Sequence, residues 1–273
     1  MNVLIRHFSF AVLAAISCVA TAATPEDPAA AGHVMLLTGR GSALAADGGA
    51  IRELHKDDAV FSGELVSAAG NSYVNLRFTD GSFILLRPNT RMMIETYAYP
   101  MAAEETRASP APASSAKAAI PKTSRAAATA PVPSSPSKSG FFRLLKGGFR
   151  AVSGLIGRVD HEEYRVSTPV ATIGIRGTDY YVYQCDAACD DDPVIAELIG
   201  NGKLPPSVAG ATLVGVYKGE VQVDSFTGQS RRVEAGQFLL TLADGSQVLL
   251  PIEPLFLRIT PFPDPTTLCS VDG

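Results

Sequence analysis

The residue types that carry out catalysis are scattered along this 273-residue chain and form no recognisable catalytic motif. There is no Gly-x-Ser-x-Gly sequence, so a serine hydrolase would lack its nucleophile. Asp80 and Asp244 could act as paired carboxylates, but each begins an Asp-Gly-Ser sequence that a tight turn explains. Gly39-Arg40-Gly41 does not extend to a dinucleotide-binding fingerprint, because Leu44 occupies the third glycine position. We therefore expect a protein that is not an enzyme and needs no cofactor.

Cysteine and histidine positions argue against a metal centre and leave the disulfide pairing open. The histidines beyond the N-terminus are far apart in the sequence: His33, His55 and His161. No second cysteine pair completes a tetrahedral ligand set. Cys185, Cys189 and Cys269 allow three pairings, each leaving one thiol over, and a small loop closed by Cys185 and Cys189 is the candidate disulfide. Asp190-Asp191-Asp192 could attract a cation, but the pattern favours a solvated acidic turn.

Two further groups of side chains could contact a ligand. One is a set of basic residues interleaved with phenylalanines: Arg143, Lys146, Arg150 and Arg158. They could bind lipid headgroups or polysaccharide, or they could be the outward face of strands whose aromatic residues fill the core. Tyr180, Tyr181 and Tyr183 could stack on sugars, but strand alternation places Tyr181 and Tyr183 together on one face as ordinary packing.

The N-terminal 22 residues have the layout of a secretory signal peptide. Arg6 precedes a nearly unbroken apolar run, Phe8 to Ala20, and small residues at Ala20 and Ala22 fit a cleavage site. The run is shorter than the roughly 20 apolar residues that span a membrane. Cleavage would change the net charge from −4 to −5, because the signal carries Arg6. Retention as an uncleaved anchor and lipid attachment at Cys18 are the alternatives; the mature protein is expected to be periplasmic or exported.

Residues 101–140 differ in composition from the rest of the chain. Ala, Pro or Ser occupy 26 of the 40 positions, with five Lys or Arg against two Glu and no hydrophobic period. Such a composition cannot bury enough apolar surface to become ordered, so we expect a disordered segment. The overall acidity argues against nucleic-acid binding, which needs a basic surface.

Both flanks of this segment favour β-structure. In Tyr73–Phe78, Val74, Leu76 and Phe78 alternate with the polar Asn75 and Arg77. Other short runs between Gly, Pro or Asp punctuation predict further strands: His33–Thr38, Ser42–Ala45, Phe83–Arg87, Arg91–Tyr97, Tyr164–Ser167, Ala171–Ile175, Asp179–Tyr183, Thr212–Val216, Glu220–Asp224 and Gln237–Thr241. Many short strands of this kind predict an all-β sandwich, barrel or solenoid.

One short helix is predicted as an insertion on the β-scaffold. Asp192 can cap it, Pro193 suits its first position and Gly200 can end it. Residues 256–273 show no strand or helix pattern and are expected to form an irregular tail.

The most distinctive sequence runs from Val166 to Asp179. Its defining residues are Thr168, Pro169, Ala171, Ile173, Gly174, Ile175, Arg176, Gly177 and Thr178. The pattern predicts a strand, a Thr-Pro bend and a second strand in which Gly174 and Gly177 mark bulges or close backbone contacts.

This sequence resembles the signature of FecR-domain proteins, the periplasmic part of ferric-citrate-type regulators and their stand-alone relatives. Further matches follow in order along the chain: Asp80-Gly81-Ser82, Lys146 to Gly154, Val216 to Val223 around Gly219, and Ala235-Gly236-Gln237. The resemblance covers roughly residues 31–243, which implies one all-β, sandwich- or solenoid-like domain over 32–255, interrupted by the segment 101–140. The family's membrane-bound members carry a cytoplasmic helical region and a spanning helix, in place of which we expect a signal peptide in this chain.

The resemblance implies a non-catalytic binding or signal-relay module of the bacterial cell envelope. Its partner would be an envelope protein or a glycan, and any membrane association would not involve spanning. The alternative is a structural component of surface assembly.

Overall fold

Fifteen strands make up a single hydrogen-bonded sheet in the part of this chain that its computed structural model describes. The structure describes residues 29–99, 138–159, 162–259 and 263–267. The predicted signal peptide, nearly all of the Ala/Pro/Ser-rich segment, His161 and Cys269 lie outside these residues. Within them no helix is long and apolar enough to cross a lipid bilayer.

Eight strands lie within residues 29–99, which precede the Ala/Pro/Ser-rich segment. They are β1 (Gly32–Thr38), β2 (Gly41–Leu44), β3 (Ile51–Leu54), β4 (Ala59–Val60), β5 (Leu65–Ala68), β6 (Tyr73–Phe78), β7 (Phe83–Leu86) and β8 (Arg91–Ala98). All their mutual pairings are antiparallel. The alternation predicted for β6 is confirmed, since Val74, Leu76 and Phe78 are buried on the core face.

A 14-residue strand, β9 (Ser139–Val152), joins the two flanks of the segment. It begins at Ser139, so the segment ends two residues earlier than the sequence predicts. The first half of β9 lies between β8 and the parallel strand β10 (Tyr164–Ser167). Its second half lies between β7 and β11 (Ala171–Gln184). Strands from both flanks therefore share one sheet.

The remaining strands follow β11 along the chain. They are β12 (Thr212–Ser225), β13 (Ser230–Glu234), β14 (Phe238–Thr241) and β15 (Gln247–Leu249). The sequence predicted two short strands in place of β11 and two in place of β12. This prediction was wrong, because β11 continues through a bulge at Gly177 and β12 through a bulge at Gly219.

The secondary structure of the described residues is completed by three short α-helices and one 3₁₀-helix: α1 (Leu155–Val159), the 3₁₀-helix (Ala187–Asp191), α2 (Pro193–Gly200) and α3 (Leu255–Ile259). Helix α2 confirms the predicted insertion helix, and the Asp192 carboxylate accepts a hydrogen bond from the Val194 amide at its start. The all-β class with a short helix is thus confirmed. The predicted irregular tail differs: it begins with α3, and residues 263–267 pack on the sheet.

Packing by this tail explains why one predicted surface residue is buried. Asn75 points away from the main core, as its alternation predicts, yet it is completely buried. Its side-chain amide donates to the Pro265 carbonyl over 2.9 Å.

Two apolar cores lie on opposite faces of the sheet. The main core draws side chains from both flanks of the Ala/Pro/Ser-rich segment, such as Leu76, Phe142 and Ile173. The second core forms where α2 and α3 cover the C-terminal end of β11 and the N-terminal end of β12, which pair with each other. It includes Tyr181, Ile195 and Leu257. The outer face of β11 is therefore covered at its C-terminal end and open at its N-terminal end.

Candidate functional site

The distinctive Val166–Asp179 sequence forms strand β10, a tight turn and the first half of β11. In the turn, the Thr168 hydroxyl accepts from the Ala171 amide over 3.0 Å, and the Thr168 amide donates to the Ala171 carbonyl over 2.8 Å. Beyond the turn, Ala171, Ile173 and Ile175 are buried in the main core. These members of the signature therefore fix the strand to the body of the protein.

A double bulge interrupts the pairing of β11 with β12 directly after Arg176. Gly177 and Gly219 adopt left-handed φ values of 63° and 84°, which glycine tolerates best. A Cβ on Gly219 would come within 2.9 Å of the Gly177 carbonyl oxygen. The buried Thr178 secures the bulge, since its hydroxyl donates to the Glu220 carbonyl over 2.6 Å and its amide donates to the Ser153 hydroxyl over 2.8 Å.

The open end of the outer face carries a groove of about 460 Å³, which we call the β11 groove. Its central row crosses four strands, because Arg165 pairs with Gly174, Gly174 with Gln222, and Gln222 with Arg232. Gly174 is the one position of this row without a side chain, so it leaves a notch between its neighbours.

Neither backbone geometry nor packing requires glycine at position 174. Its φ is not in the left-handed region, and its pairing with both neighbouring strands is regular. A Cβ there would meet nothing closer than the Gln222 carbonyl oxygen at 3.9 Å, an ordinary contact. The predicted bulge or close contact is therefore right for Gly177 and wrong for Gly174, whose missing side chain keeps the groove open.

Charged side chains of both signs line the β11 groove. Glu220 lies between two arginines, 3.8 Å from the Arg176 guanidinium and 3.4 Å from that of Arg232. On the other side of Gly174, the Arg165 guanidinium lies 6.0 Å from the centre of the Phe141 ring. Alternating cations and anions suit a polar partner segment of mixed charge, and exposed ion pairs are weak enough to exchange for contacts with it.

The Asp80-Gly81-Ser82 turn is structural. Asp80 is only 2% exposed, and its carboxylate accepts from the Ser82 amide over 2.9 Å and from the Ser82 hydroxyl over 2.6 Å. The Tyr97 hydroxyl, at 3.0 Å, and the Ile156 amide, at 3.2 Å, also donate to it. Burial, together with the nearby Asp80 charge, raises the pKa of Tyr97. The turn thus ties β6 to β8 and to the start of α1.

Gly236 lies in the turn between β13 and β14 with a left-handed φ of 80°. Its amide donates to the Val216 carbonyl over 2.8 Å. The sequence match at Ala235-Gly236-Gln237 therefore corresponds to a turn.

The basic residues that the sequence placed together are dispersed in the structure. Arg143 pairs with Glu95 at the surface, whereas Arg150 forms a double hydrogen bond to Asp179 over 2.8 and 2.7 Å. Arg158 is exposed, and Lys146 faces a different groove. The set does not form one anion-binding surface.

The tyrosine cluster is unsuited to stacking on sugars. Tyr180 is buried in the main core and Tyr181 in the second core, on the opposite face. Tyr183 packs beside the Phe256 ring with 5.1 Å between ring centres. The alternation of Tyr181 and Tyr183 follows the prediction.

A polar contact joins the residues that follow β15 to the face of the sheet that carries the second core. The Tyr217 hydroxyl donates to a Glu253 carboxylate oxygen over 3.4 Å. Burial raises the pKa of Glu253, while hydrogen bonds from Tyr217 and Tyr181 and the charge of Arg258 act in the opposite direction.

Cys185 and Cys189 form a disulfide at the entry to the insertion. Between them and α2, the Asp190 carboxylate accepts from the Ser207 hydroxyl over 2.6 Å and from the Val208 amide over 2.7 Å. This acidic residue therefore orders a loop. No cluster of three or more metal-ligating side chains occurs among the residues that the structure describes.

Sequence reasoning missed the groove because its walls come from separate strands. Arg165 and Arg232 carry no motif, and they lie 67 positions apart in the sequence. Outward alternation in β10 and β13 could have marked each as a surface residue, but their shared row follows from the sheet register.

Comparisons with known proteins give a distant likeness. No family model matches the chain, and no curated protein matches it. Two crystal structures of a "putative anti-sigma factor" from Parabacteroides distasonis are similar, with TM-scores of 0.41 and 0.40 and sequence identities of 14% and 13%. Each alignment covers 72% of this chain and 62% of the other, so the chain spans less than two thirds of either structure's length.

Proposed function

We propose that this protein is an exported, non-catalytic FecR-like module that relays a signal in the bacterial cell envelope by binding a partner protein in the β11 groove. The observation that carries the proposal is the notch at Gly174. Within the sequence that resembles the FecR signature, the other glycine, Gly177, is needed for backbone geometry, whereas Gly174 contributes only open space. Open space between charged side chains is a property of a recognition surface.

The chemistry of the groove supports binding without covalent catalysis. Arg176 and Arg232 both form ion pairs with Glu220, and Gln222 donates to the Ser230 hydroxyl over 2.6 Å. These groups can exchange hydrogen bonds and ion pairs with a partner segment. The proposed relay then rests on partner binding at a site built on rigid paired strands.

Export is the second element of the proposal. It is supported by the signal-peptide layout of residues 1–22 and by the Cys185–Cys189 disulfide, which suits an oxidising compartment. We expect mass spectrometry of the protein purified from cells to give a mature N-terminus at Ala23 and an oxidised Cys185–Cys189 peptide. An intact N-terminus on the purified protein would contradict cleavage.

Site-specific photo-crosslinking in living cells tests the groove. A photoreactive amino acid replaces Thr172, which lines the groove and is exposed. We expect a discrete adduct with another protein, which is lost when Gly174→Gln fills the notch. The matched control is Gly200→Gln, because Gly200 also has open space around it and no left-handed φ, but lies at the end of α2.

Both glycine variants are expected to unfold at nearly the same temperature as the parent protein. An adduct that persists in Gly174→Gln, or one that disappears equally in Gly200→Gln, would overturn the groove as the recognition site. Failure to form any adduct at Thr172 would overturn it as well.

A further inference from the structure

A second polar row crosses the outer face of the sheet, on strands other than those that form the β11 groove. It runs over five strands, β3, β2, β5, β8 and β9, because its members are directly paired in register. The row consists of Glu53, Ser42, Ser67, Arg91 and Lys146. With strands about 4.8 Å apart, the four residues from Ser42 to Lys146 span about 15 Å.

Three cations converge on this row. Arg40, Arg91 and Lys146 line one groove of about 530 Å³, which we call the basic groove. All three are exposed, and none forms an ion pair within the part of the chain that the structure describes. Glu53 lies at the opposite end of the row, separated from Arg91 by two serines.

The pairing of Arg91 with Lys146 points to an anionic ligand. These two residues lie directly opposite each other on antiparallel strands. Like charges in this arrangement destabilise a sheet. An anion bound between them would remove the repulsion, and the Ser67 hydroxyl on the next strand can donate a further hydrogen bond.

Exposed aliphatic side chains border the basic groove and define the kind of anion. The next row along the same strands contains Ile51, Leu44, Leu65 and Met93. Ile51 is 73% exposed, and Leu145, beside Lys146 at a bulge of β9, is 42% exposed. A soluble polyanion has no apolar groups to contact the exposed aliphatic side chains, whereas a lipid surface presents phosphate groups with acyl chains just beneath them.

We propose that the basic groove docks the protein onto a membrane surface rich in anionic phospholipids. Arg40, Arg91 and Lys146 bind the phosphate groups, while Ile51 and Leu145 enter the boundary between headgroups and acyl chains. This contact is peripheral and does not depend on the partner bound in the β11 groove.

Vesicle co-sedimentation tests the proposal with the full chain. Vesicles containing phosphatidylglycerol are compared with vesicles of phosphatidylcholine alone. We expect measurable partitioning only onto the anionic vesicles, with a loss of about 25-fold in Arg91→Thr/Lys146→Thr, since each basic side chain near such a surface contributes about a fivefold factor. The matched control, Lys203→Thr/Arg231→Thr, makes the same change in net charge at exposed positions elsewhere and should retain parental binding.

A third variant separates a lipid surface from a soluble polyanion. Ile51→Thr keeps the charge and the strand propensity but removes most of the exposed aliphatic group, so we expect a loss of about fivefold on anionic vesicles. Dextran sulfate serves as the soluble polyanion and should bind weakly and equally to the parent and to Ile51→Thr. Equal losses in the two double variants would overturn the basic groove as the site. Tight binding to dextran sulfate with no effect of Ile51→Thr on vesicles would overturn the membrane as the partner.

Discussion

The Asp-Gly-Ser sequence occurs twice in this chain and provides a matched pair of mutations. Asp80 and Asp244 each accept hydrogen bonds from the serine two residues later, with the same amide distance of 2.9 Å and hydroxyl distance of 2.6 Å. Asp80 is buried, whereas Asp244 is at the surface. The two substitutions Asp80→Ala and Asp244→Ala therefore remove the same local turn contacts in opposite surroundings.

The expected cost at Asp80 follows from its two long-range donors. Asp80→Ala removes the acceptor of the Tyr97 hydroxyl and of the Ile156 amide, both in the protein interior. A buried donor left without an acceptor costs about 1–3 kcal/mol, so the two together cost about 4 kcal/mol. A change of this size is exceptional for a single substitution. It corresponds to a decrease in Tm of about 8–16 °C for a domain of this length.

Urea denaturation and calorimetry of the parent and three variants measure these changes. We expect Asp80→Ala to be strongly destabilised, and Asp80→Asn to fall between it and the parent, because the amide oxygen still accepts a hydrogen bond. Asp244→Ala should unfold close to the parent, since water replaces the lost contacts there. Equal decreases in Asp80→Ala and Asp244→Ala would refute the reasoning, because burial would then not determine the cost.

Four further predictions concern other parts of the fold. Because the pKa of Glu253 is raised in the folded protein, ionisation of this residue opposes folding. The stability of the parent should therefore decline as the pH rises above about 4.5 and passes through the raised pKa. Urea titrations of Glu253→Gln should show a flatter dependence of stability on pH. Asp192→Ala removes the cap of α2 and the acceptor of an α3 amide and should cost about 2 kcal/mol in urea denaturation, whereas Asp192→Asn, which still caps, should cost less. Reduction, or the double Cys185→Ser/Cys189→Ser variant, should cost about 2 kcal/mol, the value for a loop this short. Limited proteolysis should cut within 101–140 and leave fragments that elute together in size-exclusion chromatography; separate elution under native conditions would contradict the shared sheet.

Local sequence patterns predicted the parts of this fold that depend on neighbouring residues. Alternation identified the buried face of β6, and the Asp192-Pro193 pair located the start of α2. Both signals act within a few residues, where backbone geometry and capping chemistry determine the outcome.

The features that the sequence did not predict depend on contacts between distant residues. Asn75 resembles a surface residue until Pro265 covers it. Gly174 and Gly177 are indistinguishable as glycines, yet only the second has a left-handed φ. The two grooves arise from rows across strands, and the order of strands in a sheet is a tertiary property that alternation within one strand does not encode.

The position of β9 in the middle of the sheet has a consequence for how the chain acquires its structure. During synthesis, β1–β8 emerge first, but β7 and β8 each have one edge that only β9 covers. Those edges remain unpaired while the 40 residues of segment 101–140 are synthesised. Pairings between such distant residues make folding slow, and exposed edges in the interval invite aggregation. We expect the first flank to remain unfolded until β9 is available, and under the export proposed above this would keep the chain in a form that can still pass through a translocation channel.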